Sequence, residues 1–279
     1  MNSRIWTLAI LATGAATAAT ALPTAEDHRG NRIEPFRQTP TPYVTDRRTI
    51  EDYRNCTEDR LWCADLRREQ PEGHWTLHVV ARDGVVSREY YYRLPTDLCC
   101  GPGRNFGVWN EIVREPRGAA LIGLDFGRET GRRGGFRSFQ RRLLLLRVPK
   151  ESGGAPVPVL EAPLSGVVDQ PVCISATDQR DRPKDCMDRF DFDTLFTLIP
   201  SVAPVEPPNL IMVATASTTP GLRTRIGGRP VRRGPVERTL DDEVRDPACT
   251  YTRSFYFDDA LGRYVPDAPL PDCSNYLEP

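Results

Sequence analysis

Apolar and polar residues along this chain fall into short runs that suit strands rather than helices. His74-Trp75-Thr76-Leu77-His78-Val79-Val80 and residues 85–92 are rich in branched and aromatic side chains, as strands prefer. Arg82-Asp83-Gly84 lies between them, and Asp-Gly favours a tight hairpin because glycine tolerates positive φ. The same reading predicts strands at 61–66, 119–124, 172–175, 195–199, 210–215 and 250–257, with one or two more in 136–148. A turn at 258–262 is expected to lead into Arg263-Tyr264-Val265, and a single helical turn is expected at 49–53. No fixed-period repeat marks a propeller or solenoid.

These elements predict a mainly β fold: an antiparallel sandwich or partly closed barrel built from hairpins and stapled by disulfides. A mixed α+β fold is the competing class. Pro23, Pro35, Pro40 and Pro42 make 22–48 an expected extended leader. Residues 149–171 carry Gly153-Gly154, Pro156, Pro158 and Pro163, and are expected to be a connector. It would separate a first β region, 49–148, from a second, 172–279, within one domain or two.

The amino-terminal pattern places the whole chain. Arg4 precedes an apolar run from Ile5 to Ala12, and small residues end in Ala19-Thr20-Ala21. Charge, apolar core and small-residue exit are the signature of a secretory signal, here expected to be 1–21. The apolar run falls short of the ~20 residues a membrane helix needs, and no later segment is apolar for long enough. A secreted or periplasmic location is therefore expected, with no transmembrane segment after signal removal.

Eight cysteines follow the signal: Cys56, Cys63, Cys99, Cys100, Cys173, Cys186, Cys249 and Cys273. An even number in an exported chain predicts disulfides, and the spacings fit zinc poorly. Proximity suggests Cys173 with Cys186 and Cys249 with Cys273. The adjacent Cys99-Cys100 would then bond to Cys56 and Cys63; a vicinal redox bridge is the sharper alternative.

The formal net charge is −1, so no global field points to nucleic acid or a membrane surface. Charge is patterned locally instead. One basic stretch holds Arg128, Arg132, Arg133, Arg137, Arg141, Arg142 and Arg147; another holds Arg223, Arg225, Arg229, Arg232, Arg233 and Arg238. On one face, Arg132, Arg133, Arg137, Arg141, Arg142, Arg229, Arg232 and Arg233 would form an anion-binding surface, because arginine forks match carboxylate and phosphate. The competing reading is solvated strand edges.

Catalytic patterns are sparse. His74 and His78 on a strand stand ~13 Å apart, too far to share one metal ion. Asp178, Asp181, Asp185, Asp188, Asp191 and Asp193 lack calcium-loop order and read as a self-neutralised solvated loop. Asp125-Phe126-Gly127 has no kinase context, and no Gly-x-Ser-x-Gly nucleophile elbow occurs. No cofactor or metal is expected. The leading functional expectation is a non-catalytic binding or envelope-associated module, with an anionic envelope polymer rather than nucleic acid as partner. The alternative is a secreted hydrolase of glycans or peptides, acting through carboxylates that only the fold brings together.

Overall fold

Strand-forming runs dominate the structure, a computed structural model that describes residues 30–45, 48–69, 74–84, 86–99, 103–131, 136–149, 154–171, 187–199, 207–219, 225–226, 229–230 and 243–277. Strands β1 (Arg32–Pro35), β2 (Arg37–Thr45), β3 (Arg48–Cys56), β4 (Trp62–Arg68), β5 (Trp75–Asp83) and β6 (Val86–Arg93) come first. A single-turn helix, α1 (Thr96–Cys99), leads into β7 (Arg104–Arg114), β8 (Ala120–Gly131), β9 (Arg137–Val148), β10 (Val157–Pro171), β11 (Met187–Leu198) and β12 (Leu210–Thr219). The short strands β13 (Arg225–Ile226), β14 (Arg229–Pro230) and β15 (Val244–Arg245) follow, then β16 (Tyr251–Asp258), β17 (Arg263–Pro266) and α2 (Ser274–Leu277).

β2 to β6 form a five-stranded antiparallel meander. A ten-stranded sheet runs β1-β7-β8-β9-β10-β11-β12-β16-β17, with β15 also against β12. Its end strands β1 and β17 do not pair, so the sheet curls without closing into a barrel. The expected hairpin is present: β5 and β6 close at Asp83 opposite Val86, with Gly84 at φ 58°.

Leu143, Leu144, Leu145 and Leu146 on β9 explain the layering. A strand buried on one face alternates, whereas one covered on both reads as a continuous apolar run. Leu144 and Leu146 pack with Ile122 and Leu124 against Leu77 and Val79 of the five-stranded sheet. Leu143 and Leu145 pack with Leu121 against Phe196, Met212 and Phe255, on the curled remainder of their own sheet. None of the four is more than 5% exposed. β7 to β9 are thus a middle layer, and each fully buried leucine there contributes about 1.5–3 kcal/mol.

Several expectations are corrected. The leader 22–48 contains β1 and β2, and the predicted helical turn at 49–53 lies in β3. The supposed connector 149–171 contains the longest described strand, β10, hydrogen-bonded to β9 and β11. Its prolines misled because a central strand tolerates proline at a bulge. The β9–β10 register slips between Pro158 and Leu160, and again between Pro163 and Ser165. The predicted strand at 172–175 lies outside the described residues.

Two disulfides are described. Cys249–Cys273 joins the tail to the segment before β16, as proximity suggested. Cys56 bonds Cys63 rather than Cys99 or Cys100. The reason is register: the two are directly opposed on β3 and β4, with Cα atoms 4.1 Å apart. Cys100, Cys173 and Cys186 lie outside the described residues, and Cys99 is placed only as the end of α1. The tail docks on the sheet where Gly166 admits it; a Cβ there would stand 2.3 Å from the carbonyl oxygen of Tyr276.

Candidate functional site

Strand alternation sorts the first arginine stretch by parity. Even-numbered residues of β8 and β9 face the five-stranded sheet, and odd-numbered ones face the curled core. Arg128 therefore continues the face of Ile122, Leu124 and Phe126, and Arg142 that of Leu144 and Leu146. Register adds a residue the sequence did not suggest: Arg104 of β7 stands directly opposite Arg128. Arg128 pairs in turn with Gln140 of β9, which puts Arg142 at the diagonal position on the same face.

The row is fixed from both ends. Gly103, at φ 71°, starts β7 tightly against β8; a Cβ there would lie 2.4 Å from the carbonyl oxygen of Glu129. Toward the core, Phe106 opposes Phe126, and Trp75 of β5 meets Phe106 edge-on with ring centroids 4.8 Å apart. Arg142 Nε lies 3.2 Å from Glu161 Oε1. Among the described residues, neither Arg104 nor Arg128 has an acidic partner.

Two odd-numbered arginines, Arg141 and Arg147, form ion pairs on the other face. Arg147 donates from Nε and Nη2 to Glu115 at 3.0 and 2.9 Å. Arg137 stands opposite Asp169, and Arg141 donates from Nε to both Asp125 oxygens at 3.1 Å. The hydrogen bond that Arg141 donates to Asp125, with the charge of that carboxylate, outweighs burial and holds the Arg141 guanidinium above its usual pKa.

Arg141 and Asp125 line a cleft of about 380 Å³ with Trp109, Glu111, Ser165 and Asp193. Two irregular strands open it. On β7, the register jumps between Val108 and Ile112, so Trp109, Asn110 and Glu111 crowd against Gly123. Gly123 is required there, since a Cβ would come within 2.7 Å of Trp109 Cβ. On β10, the slip beside Ser165 is capped by Thr194, whose hydroxyl reaches the Pro163 and Leu164 carbonyls at 3.0 Å. Burial pushes the Glu111 carboxyl up. Burial and then the charge of Asp191 push Asp193 up, against the pull of Arg141. The cleft thus sets two carboxyls that retain protons more readily beside an Asp125–Arg141 ion pair.

A second polar group crosses the outer face of the five-stranded sheet. Asp65, His78 and Tyr91 are consecutive cross-strand partners. His78, 2% exposed, holds Nδ1 3.0 Å from Asp65 Oδ1 and stacks on Tyr91 with centroids 4.9 Å apart. Arg67 Nε donates to Asp65 Oδ2 at 2.6 Å. Burial opposes ionisation of Asp65, but hydrogen bonds from His78 and Arg67 outweigh it and hold the carboxyl below its usual range. Among the described residues no hydroxyl or thiol nucleophile bonds to His78, and no group of three or more His, Cys, Asp or Glu is arranged to hold a metal.

The two arginine stretches are not seen to converge. Arg132, Arg133, Arg232 and Arg233 lie outside the described residues, and Arg229 is placed only on β14. Arg137 and Arg141 lie on the face opposite Arg142, so the surface expected from all eight is divided. Of the acidic cluster, Asp178, Asp181 and Asp185 lie outside the described residues. Asp188, Asp191 and Asp193 sit on β11 rather than in a loop, and Asp191 accepts from Arg189 Nε at 2.9 Å. Asp193 is the member brought to the carboxyl cleft. Glu111 and Arg104 were missed because each stands outside the charged stretches; only strand register assigns them. Comparison with protein-family models, curated proteins and solved structures found no match.

Proposed function

We propose that this chain is an exported, non-catalytic β protein that binds an anionic envelope polymer along the Arg104–Arg128–Arg142 face. The observation that supports this reading is the direct cross-strand opposition of Arg104 and Arg128. Like charges at such positions destabilise a sheet on its own. A carboxylate- or phosphate-bearing chain lying across the pair removes that repulsion and gains charge-assisted hydrogen bonds. Export rests on the signal pattern of 1–21 and accords with the two disulfides, which persist in oxidising compartments. A secreted and a periplasmic location both suit it, and nucleic acid is not the partner such a location supplies. No described helix is long and apolar enough to cross a membrane.

The test uses the mature, disulfide-intact protein with polygalacturonate and polyphosphate as probes. Binding should weaken as salt rises, because exposed charges are screened, and should be largely lost in the Arg104→Gln/Arg128→Gln double variant. Binding that ignores both salt and the double substitution would remove this assignment. Intact mass of the exported product should begin after Ala21.

A hydrolase is the second reading, and the carboxyl cleft favours it. Glu111 or Asp193, its carboxyl held above the usual range beside the Asp125–Arg141 pair, has the character of a general acid, and an ionised carboxylate nearby has that of a base. Release of reducing ends from polygalacturonate, abolished in Glu111→Gln and in Asp193→Asn, would establish the hydrolase and overturn the non-catalytic reading.

A further inference from the structure

The edges of the two large sheets are protected unequally. Among the described residues, β1 and β17 end the ten-stranded sheet, and β2 and β6 end the five-stranded one. An edge strand offers N–H and C=O groups that template another strand, and shortness or proline blunts the offer. β1 and β17 have four residues each and end in Pro35 and Pro266. β2 carries Pro40 and Pro42. β6 has eight residues and no proline, and its register with β5 is unbroken from Val86 to Arg93.

Alternation fixes which groups of β6 face outward. Leu94 donates its N–H to the Trp75 carbonyl at 2.8 Å, and opposed residues of an antiparallel ladder are hydrogen-bonded at every second position. The even-numbered residues of β6 therefore bond β5, whereas Ser87, Glu89, Tyr91 and Arg93 turn their N–H and C=O groups away from it. Side chains divide by the same parity. Tyr90 is buried in the core and Tyr92 packs against it, while Tyr91 lies on the outer face, 52% exposed.

We infer that β6 is a dimer interface, pairing antiparallel with β6 of a second copy of this chain about a two-fold axis at Tyr91. Self-complementarity selects this occupant. Core and outer faces stay in line only if odd residues oppose odd ones and even oppose even. Pairing about Glu89 would oppose that carboxylate to itself, and pairing about Tyr90 would oppose it to Tyr91. Pairing about Tyr92 would oppose it to Pro95, which has no N–H. Pairing about Tyr91 instead opposes Glu89 to Arg93 twice on the outer face and Tyr90 to Tyr92 twice on the core face. Opposite charges and aromatic pairs are both favourable across strands. Arg93 has a contact of its own, and it enters here through the sign of its charge rather than through a free donor. At the axis the two Tyr91 residues exchange main-chain hydrogen bonds, and a closed two-fold pair leaves neither β6 edge open. The interface uses neither the arginine row nor the carboxyl cleft.

Sedimentation equilibrium of the mature, disulfide-intact protein over a range of concentrations reads the association. The apparent mass should rise toward twice that of the monomer. In Tyr91→Lys it should stay monomeric, because two ammonium groups then oppose each other at the axis. Cysteine crosslinking checks the register. Hydrogen-bonded antiparallel partners hold their Cα atoms ~5.5 Å apart, within reach of a disulfide. Tyr91→Cys should thus form a crosslinked dimer under mild oxidation. Ser87→Cys should not, since the two copies of that position would stand ~26 Å apart along the strands. If Tyr91→Lys does not melt as the parent does, the cysteine pair decides. A monomer at every concentration, a dimer that persists in folded Tyr91→Lys, or crosslinking no greater in Tyr91→Cys than in Ser87→Cys overturns the assignment.

Discussion

Replacing Arg128 with glutamine should make the unliganded protein more stable, against the general tendency of substitutions to destabilise. Arg104 and Arg128 are direct cross-strand partners, and such partners hold their Cβ atoms ~5 Å apart. Cross-strand pairs change sheet stability by about 0.2–1 kcal/mol, and like charges act in the unfavourable sense. Both guanidinium groups reach water, so the lower half of that range applies. A relief of about 0.5 kcal/mol would raise the melting temperature by about 1–2 °C in a protein of this size.

The same repulsion disappears whichever partner is changed. Arg104→Gln should therefore give a similar gain, and the double variant should add little to either single one. A double-mutant cycle isolates this term as a repulsive coupling of about 0.5 kcal/mol. Salt provides an internal control: the Debye length falls from ~30 Å at 0.01 M to ~3 Å at 1 M. The advantage of Arg128→Gln, measured by reversible urea unfolding, should shrink toward zero over that range. With polyphosphate present the order should reverse, because ligand that binds only the folded parent stabilises it by mass action. A loss of stability in Arg128→Gln at low salt, or additive gains in the double variant, would refute the argument that the row is an uncompensated like-charge pair.

Three further outcomes follow from other parts of the fold. Gly166→Ala should destabilise by about 1–3 kcal/mol, the usual effect of overpacking, since its Cβ meets the Tyr276 backbone at 2.3 Å; a wild-type melting curve and unchanged proteolysis at the carboxy terminus would contradict this. Cys249→Ser/Cys273→Ser removes a crosslink spanning 24 residues and should lower stability by about 3 kcal/mol, measurable by urea unfolding. Asp65 has its folded-state carboxyl held below the ordinary 3.8, so its stabilisation is complete above that value and is lost as pH falls through the lowered one. The stability gap between parent and Asp65→Asn should thus close in acid below about pH 4; a gap constant from neutral to acid pH would rule the linkage out.

Local pattern revealed the strands whose surroundings are local. The β5–β6 hairpin was legible because an Asp-Gly turn and two flanking strand-like runs lie in one short stretch. β9 was legible as a strand, but its place in the fold was not. Four successive leucines say that both faces are covered; they do not say that the second cover is the same sheet curling back. β10 was misread for a related reason. Pro158 and Pro163 carry the same letters in a loop as at a bulge, and only the register slips beside them distinguish the two. The Cys56–Cys63 bridge was hidden similarly, since it depends on β3 and β4 being opposed.

The arginine row follows from a mismatch of lengths. β8 and β9 each have 12 residues, whereas β5, an inner strand of the layer that packs over them, has 9. At 3.3–3.4 Å per residue, the three-residue excess amounts to about 10 Å of strand. Trp75 closes the core over Phe106, and the next cross-strand pair outward is Arg104 with Arg128. A hydrophobic pair at that point would present an apolar edge to solvent, whereas arginines remain hydrated there. Solubility alone would be served equally well by alternating signs, which would avoid the repulsion. Two cations directly opposed, beyond the last covered aromatic pair, are what the proposed anionic polymer would bridge, and the double-mutant cycle decides whether they repel in its absence.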